Sequence, residues 1–123
     1  KPADIFADVG CGTGKVTLTA APLVSHVHAM DIREDAYRWT CEELRKSGFA
    51  NVTPHFGNAV SILTSLEKVD KAFVGGSRNL SDIIARLAHL KVKTIVITAV
   101  LLETLNIAQS TFSADSIYIW QYR

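Results

Sequence analysis

The residues with the most evident chemical potential lie in one short stretch, Asp8 to Lys15, which reads DVGCGTGK. Three glycines stand at every second position in it, directly behind the apolar run IFADV. Because glycine has no side chain, such a loop leaves its backbone N–H groups bare and lets a ligand approach them closely. The stretch therefore predicts a binding loop at the end of a buried strand.

Two kinds of phosphate-binding loop fit this stretch poorly. A nucleoside triphosphate loop needs Gly-x-x-x-x-Gly-Lys-Ser/Thr, but Val9 stands at its first glycine and Val16 at its Ser or Thr. A dinucleotide loop needs Gly-x-Gly-x-x-Gly/Ala, whose small last residue lets the helix pack on the strand. Counted from Gly10, that last position is Lys15, which has a long charged side chain. Both interpretations are disfavoured.

A third interpretation includes Asp8 and gives the motif Asp-x-Gly-x-Gly-x-Gly. This spacing suits S-adenosyl-L-methionine (SAM), because a carboxylate can accept from its ammonium group or from bound water. Two later strand ends agree: Asp31 can pair with both ribose hydroxyls, and Asn58 can hydrogen-bond the adenine edge. Taken singly, Asp8 could be a helix cap and Asp31 a turn residue. Their joint placement predicts a SAM site.

The elements that must position these residues alternate along the chain. Apolar and β-branched runs predict strands, and segments of helical period predict helices between them. This alternation predicts right-handed βαβ units and an open parallel sheet with helices on both faces. We expect strands at 5–9, 27–32, 52–56, 71–74, 93–100 and 116–122, and helices at 14–23, 34–47, 59–66 and 80–90, with Gly48 capping the second helix.

Ligands of such sheets bind beyond the C-terminal ends of the strands, near the point where the strand order reverses. That rule selects the loops 10–15, 31–34, 57–59, 75–79 and 98–103.

Composition sets the remaining bounds on the chain. With 48% hydrophobic and 20% charged residues, we expect one folded domain over 1–123. The net charge of +1 gives no electrostatic case for nucleic acid or a membrane as partner, and no apolar stretch approaches the roughly 18 residues of a membrane span. Cys11 and Cys41 match no disulfide or metal framework, which favours reduced thiols in the cytoplasm. His26 and His28 share a strand face without an evident third ligand, so we predict no metal site.

Most of the chain resembles the class I SAM-dependent methyltransferases. Phe73 to Ser77 (FVGGS) and Ile97 to Thr104 (ITAVLLET) further resemble the decarboxylating precorrin-6Y/precorrin-6B methyltransferases of cobalamin biosynthesis. The resemblance implies C-methylation of a precorrin, a tetrapyrrole, at ring carbon 15, with loss of carbon dioxide from a neighbouring acetate arm. It also suggests a homotetramer. We expect an α/β, Rossmann-like, seven-stranded methyltransferase fold whose sheet is mostly parallel and whose last strand is antiparallel.

The resemblance places the cofactor on the glycine loop and the next two strand ends, and the macrocycle against 75–77 and 98–103. Arg78 replaces a family glycine and could meet a substrate carboxylate. Glu103 is a candidate catalytic base or orienting group for the acetate arm, or simply a helix N-terminal acid. The candidate cofactor-binding residues are Asp8, Gly10, Cys11, Gly12, Thr13, Gly14, Asp31, Ile32, Gly57, Asn58, Ala59 and Gly75, and the candidate substrate-binding residues are Gly76, Ser77, Arg78 and Thr98.

Besides Arg78, the chain departs from the family at Asn58 and around residues 104–111. The family usually has Asp at the position of Asn58, although an amide can still pair with adenine. The chain begins without an initiator Met, so an N-terminal segment is expected to be missing. Residues 105–110 resemble the family's sixth strand but follow Thr104 without the expected helix, which suggests residues missing at 104–105 and 110–111; alternatively, 102–111 is one helix.

Two other functions stay open at this point. A methyltransferase of tRNA or of a small molecule would share the first three loops. A non-catalytic methyltransferase-like module would keep the fold and lose affinity for the cofactor.

Overall fold

A computed structural model of the chain describes residues 3–75, 79–99 and 117–121. Strands and helices alternate along these residues. In chain order they are β1 (Ile5–Val9), α1 (Lys15–Ala20), β2 (His26–Asp31), α2 (Glu34–Ser47), β3 (Val52–Phe56), α3 (Ala59–Ser65), β4 (Lys71–Val74), α4 (Leu80–His89), β5 (Thr94–Ala99) and β6 (Ile117–Gln121).

The strands form one six-stranded sheet in the order β3-β2-β1-β4-β5-β6, and every pairing in it is parallel. The chain first builds outward from β1 to β3 and then returns to the other side of β1 with β4. The strand order therefore reverses between β1 and β4. The predicted α/β, Rossmann-like parallel architecture is confirmed.

Helix α2 shows how closely local sequence can determine an element. It begins and ends where the sequence predicts, at Glu34 and Ser47. Gly48 ends it in the left-handed conformation, with φ of 76°, and donates its N–H to the Leu44 carbonyl. Glu34 and Asp35 in its first turn complement the positive end of the helix dipole.

The first helix is shorter than the sequence predicts. The α-helix stops at Ala20, and Ala21–Leu23 continues it as a 3₁₀ turn. Pro22 explains the difference, because proline has no N–H to donate and its ring clashes with the carbonyl four residues earlier in an α-helix.

The predicted antiparallel orientation of the last strand is wrong. Ile117–Gln121 pairs with β5 in parallel, with Ile95 opposite Ile117 and Ala99 opposite Gln121. An alternating pattern such as SIYIWQY specifies a strand but not its direction. The sixth of the seven expected strands, at 105–110, and both suspected junctions lie outside the described residues.

The core consists of two apolar layers on opposite faces of the sheet. The larger layer packs α3 and α4 on the central strands, and its fully buried side chains include Met30, Leu63, Ile84 and Leu87. The smaller layer packs the first helical segment on β2 around Val27. Within the described ranges, no helix is both long enough and apolar enough to cross a membrane.

Candidate functional site

A cavity of about 400 Å³ opens beyond the C-terminal ends of the strands, beside the reversal point. This volume is within the range of about 300–1,000 Å³ that is usual for small-molecule sites. The cavity is lined by Val9, Gly10, Met30, Asp31, Ile32, Arg33, Gly57, Asn58, Ala59, Val60, Gly75, Asn79 and Ile83.

Gly10 follows β1 at the point where the strand order reverses, and its backbone lies against that of Gly75 after β4. A Cβ atom on Gly10 would lie 2.6 Å from the Gly75 carbonyl oxygen, and its φ of 78° is unfavourable for other residues. Gly75 donates its N–H to the Val9 carbonyl at 2.8 Å, and Gly10 donates to the Met30 carbonyl at 2.8 Å. Both glycines line the cavity, so backbone rather than side chain forms its wall at this point.

Two of the other loop residues, Cys11 and Gly14, pack against α2. The Cys11 Sγ lies 3.3 Å from the Thr40 Oγ1, and a Cβ on Gly14 would lie 3.4 Å from the same oxygen. Burial raises the pKa of the Cys11 thiol to about 11, so it stays protonated and is poorly suited to nucleophilic chemistry. Of the predicted loop residues, Gly10 is in the cavity lining, whereas Cys11, Gly12, Thr13 and Gly14 are not.

Asp8 lies beneath the loop rather than in the cavity lining. Its side chain is buried, and its Oδ2 accepts a hydrogen bond from the Thr17 hydroxyl at 2.6 Å. Its Oδ1 is also buried and has no partner among the described residues. Burial raises the pKa of Asp8 to about 6, against the opposing effect of the Thr17 hydrogen bond. Asp8 is thus a carboxylate with spare acceptor capacity at the base of the site.

Asp31 lines the cavity and receives hydrogen bonds on both oxygens. Its Oδ1 accepts from the Arg33 backbone N–H at 3.0 Å and from the Arg33 Nε at 3.1 Å. Its Oδ2 accepts from the Gly12 N–H at 3.0 Å and from the Arg33 Nη2 at 3.1 Å. Burial alone would raise the pKa of Asp31, but the hydrogen bonds from Arg33 and Gly12 outweigh it and hold the pKa below its ordinary value.

Asn58 lines the cavity but uses its side-chain oxygen to cap α3. The Oδ1 accepts from the N–H groups of Val60 and Ser61, at 2.9 and 3.2 Å. Only the amino group of the side chain remains outside this cap, so an adenine edge would meet a donor rather than an acceptor. The neighbouring Gly57 donates its N–H to the Asp31 carbonyl at 3.0 Å and so joins the second and third strand ends.

The predicted substrate residues are less fully described. Thr98 lies on β5, where its hydroxyl donates to the Val74 carbonyl at 3.3 Å, and it is not in the cavity lining. Gly76, Ser77, Arg78 and Glu103 lie outside the described residues.

Six residues of the described cavity lining were not singled out from the sequence, namely Val9, Met30, Arg33, Val60, Asn79 and Ile83. Arg33 and Asn79 fall within the selected loops 31–34 and 75–79, which was the available signal for them. Ile83 falls within the predicted helix 80–90 and outside the selected loops. Ile83 belongs both to the core and to the cavity lining, and this double role depends on how α4 packs against the sheet.

The histidine pair of β2 has a neighbour that the sequence did not reveal. His55 on β3 places its Nε2 3.0 Å from the His28 Nδ1, and His26 contacts the Thr53 hydroxyl at 2.7 Å. Burial, together with the neighbouring imidazoles, lowers the pKa of His28 to about 4. The part of the chain that the structure describes contains no cluster suited to holding a metal ion.

Comparison with known proteins points to one kind of domain. A family model described as a methyltransferase domain matches residues 6–91. A curated relative from Methanosarcina mazei, named as a probable cobalt-precorrin-6B C(15)-methyltransferase (decarboxylating), is 39% identical over 109 residues. The alignment covers 85% of this chain and 59% of the relative, so the chain spans less than two thirds of that protein.

Two solved structures are similar as well. The crystal structure of precorrin 8W decarboxylase from Methanobacterium thermoautotrophicum is 38% identical, with a TM-score of 0.80, and the match covers 89% of this chain and 61% of that one. A Streptococcus mutans protein classed among the methyltransferases and solved in complex with SAH is 25% identical, with a TM-score of 0.57. That match covers 61% of this chain and 43% of the other.

The tight contact at Gly10 leads to a direct test. Gly10→Ala should lower the free energy of unfolding by about 3 kcal/mol or more, because the added Cβ meets the Gly75 oxygen and the left-handed conformation is strained. Gly48→Ala is a matched control, since Gly48 has a similar φ of 76° but nothing within 4 Å of its Cβ position. It should cost only about 1–2 kcal/mol. Urea unfolding of both variants measures the difference, and equal losses would contradict the close contact.

The raised pKa of Asp8 predicts a dependence of stability on pH. The folded pKa of about 6 exceeds the ordinary 3.8, so the folded state holds this proton more tightly than the unfolded state. Protonation of Asp8 therefore stabilises the folded state fully below about pH 4. This stabilisation, about 3 kcal/mol, is lost as the pH rises through 6. The difference in unfolding free energy between wild type and Asp8→Asn should show this slope.

Carboxyl NMR should place the midpoint of the Asp8 titration near pH 6. Thr17→Val is the matched variant, because it keeps the shape of Thr17 while removing the hydrogen bond that lowers the Asp8 pKa. It should therefore move the midpoint upward. A midpoint near 4 in wild type, or a downward shift in Thr17→Val, would contradict the prediction.

Proposed function

The chain belongs to the methyltransferase domain family, and we propose that it is a SAM-dependent C-methyltransferase that methylates a precorrin at ring carbon 15. Methylation is accompanied by decarboxylation of a neighbouring acetate arm. The observation that carries the cofactor part is the placement of the Asp31 carboxylate at the wall of the cavity, one strand away from the bare backbone of Gly10.

The chemistry of the cavity wall fits a nucleoside cofactor without phosphate. The one cation in the described lining, Arg33, is already paired with Asp31. The described lining therefore offers no unpaired cation to bind a phosphate group. Ile32 is 47% exposed at the rim, where an aliphatic side chain can cover the face of an adenine ring. Met30 and Ile83 supply further apolar surface.

Each part of SAM has a candidate partner on this chain. Asp31 accepts from the ribose hydroxyls, and the Asn58 amino group donates to the adenine edge. Gly10 and Gly75 leave room for the methionine portion. The buried Oδ1 of Asp8, which has no partner in the described part of the chain, accepts from the SAM ammonium group through water. SAM itself supplies an activated sulfonium methyl group, so the chain's residues mainly bind, orient and exclude water.

The substrate part rests on the similar proteins and on the position of one loop. The similar proteins from Methanosarcina mazei and Methanobacterium thermoautotrophicum are named for precorrin chemistry. Residues 76–78 join Gly75 to Asn79, and both of these line the cavity. A substrate held by Gly76, Ser77 and Arg78 would therefore stand beside the cofactor. The Arg78 guanidinium suits a precorrin, which carries many carboxylate arms.

We assign Thr98 to substrate contact, and Glu103 to orienting or deprotonating the acetate arm that loses carbon dioxide. The chain acts as a single methyltransferase domain in the cytoplasm and assembles as a homotetramer, as the family resemblance suggests. A net charge of +1 gives no support for nucleic acid or a membrane as partner.

Binding of S-adenosylhomocysteine (SAH), the demethylated product of SAM, tests the cofactor assignment. Wild type should bind SAH in calorimetry, and Asp31→Asn should weaken binding about tenfold or more, because hydrogen bonds to a charged group contribute about 1.5–3 kcal/mol. Glu67→Gln is the matched control, since it neutralises an exposed acid outside the cavity lining. Absence of wild-type binding at millimolar SAH would leave only the non-catalytic alternative.

Turnover with a precorrin that retains its acetate arm tests the reaction. We expect one SAH and one carbon dioxide per methylated product, with the new methyl group at ring carbon 15. Mass spectrometry and carbon NMR of the product measure both changes. Transfer to tRNA or a small molecule with no carbon dioxide release, together with no reaction on the precorrin, would contradict the proposed substrate while leaving the cofactor assignment intact.

A further inference from the structure

The Asp31 carboxylate, which would bind the ribose in the proposed function, is shielded from solvent by its neighbours. The Asp31 side chain is only 3% exposed, whereas the Arg33 side chain that lies against it is 63% exposed. A nucleoside cannot reach both Asp31 oxygens while they stay covered in this way. Something at this strand end must move when a cofactor binds.

The four donors on Asp31 differ in their freedom to move. Two are backbone N–H groups, from Gly12 and from Arg33 itself. The Gly12 loop is anchored to β2, because the N–H groups of Gly10 and Cys11 both donate to the Met30 carbonyl, at 2.8 and 2.9 Å. The other two donors belong to one guanidinium on a largely exposed side chain. The Arg33 side chain is therefore the donor that can move away from Asp31.

The guanidinium and a ribose diol make the same kind of contact with a carboxylate. Each presents two donors as a fork, and each can hold both oxygens at once. A carboxylate has about four acceptor positions, and in Asp31 all of these are occupied by the four donors. The diol can therefore bind only by taking the positions of the Arg33 Nε and Nη2.

We propose that Arg33 is a competitor of the cofactor, which occupies the ribose-diol position on Asp31 in the empty site and is displaced when the nucleoside binds. This inference rests on the proposed function, because it concerns the same site. Arg33 keeps a buried carboxylate paired while the site is empty. The same contact weakens binding of every ligand with an intact diol, SAM and SAH alike.

Calorimetry on three proteins tests the competition. Arg33→Ala should bind SAH and adenosine about threefold to tenfold more tightly than wild type, because no ion pair has to break. Its affinity for 2′,3′-dideoxyadenosine, which has no diol, should equal that of wild type. Arg38→Ala is the matched control, since it removes the same charge from an exposed arginine of α2 that pairs with Glu34 instead. It should match wild type for every ligand.

A second readout follows the arginine directly. In ¹⁵N NMR, the Arg33 Nε–H should be protected from exchange in the free protein and should lose that protection when SAH saturates the site. Unchanged or weaker SAH binding by Arg33→Ala, or an equal gain for dideoxyadenosine, would overturn the inference while wild-type SAH binding keeps the proposed cofactor. Absence of SAH binding by all three proteins would overturn the proposed function and, with it, this inference.

Discussion

The described fold and its cavity depend on one close approach of backbone to backbone, between Gly10 and Gly75. This contact joins the ends of β1 and β4, the two neighbouring strands at which the chain reverses its direction of sheet growth. A side chain at Gly10 would meet the Gly75 carbonyl at 2.6 Å. Because neither residue has a side chain, backbone forms the cavity wall here. The Gly75 N–H donates to the Val9 carbonyl and so joins the two strand ends.

Two buried aspartates at neighbouring strand ends show how partners decide the behaviour of a carboxylate. Asp8 and Asp31 are 1% and 5% exposed, yet their pKa values move in opposite directions. Asp8 accepts from the Thr17 hydroxyl, and its other oxygen has no partner among the described residues, so the cost of burial dominates. Asp31 has a guanidinium and two backbone donors, and these outweigh burial. At neutral pH both are mainly ionised, but only Asp31 is held in that state by its neighbours.

Elements specified by neighbouring residues could be predicted from the sequence, whereas features that depend on distant parts of the chain could not. Helix α2 was predicted to the residue, because its start, its apolar spacing and the Gly48 cap are all local signals. Pro22, which shortens α1, is an equally local signal. The direction of Ile117–Gln121 could not be predicted, because alternation of side chains is the same for a strand run in either direction.

The sequence by itself determined which strand ends carry polar or glycine residues, and the alternation of elements brought the first three of those ends to one edge of the sheet. Tertiary structure alone decided which atoms remain available there. Asn58 has its oxygen in a helix cap, and Gly14 packs against Thr40 of α2. The Gly12 N–H and the Arg33 side chain already donate to Asp31. The reason is physical: buried polar groups take the nearest good partner, and nearness in space is set by packing rather than by motif spacing.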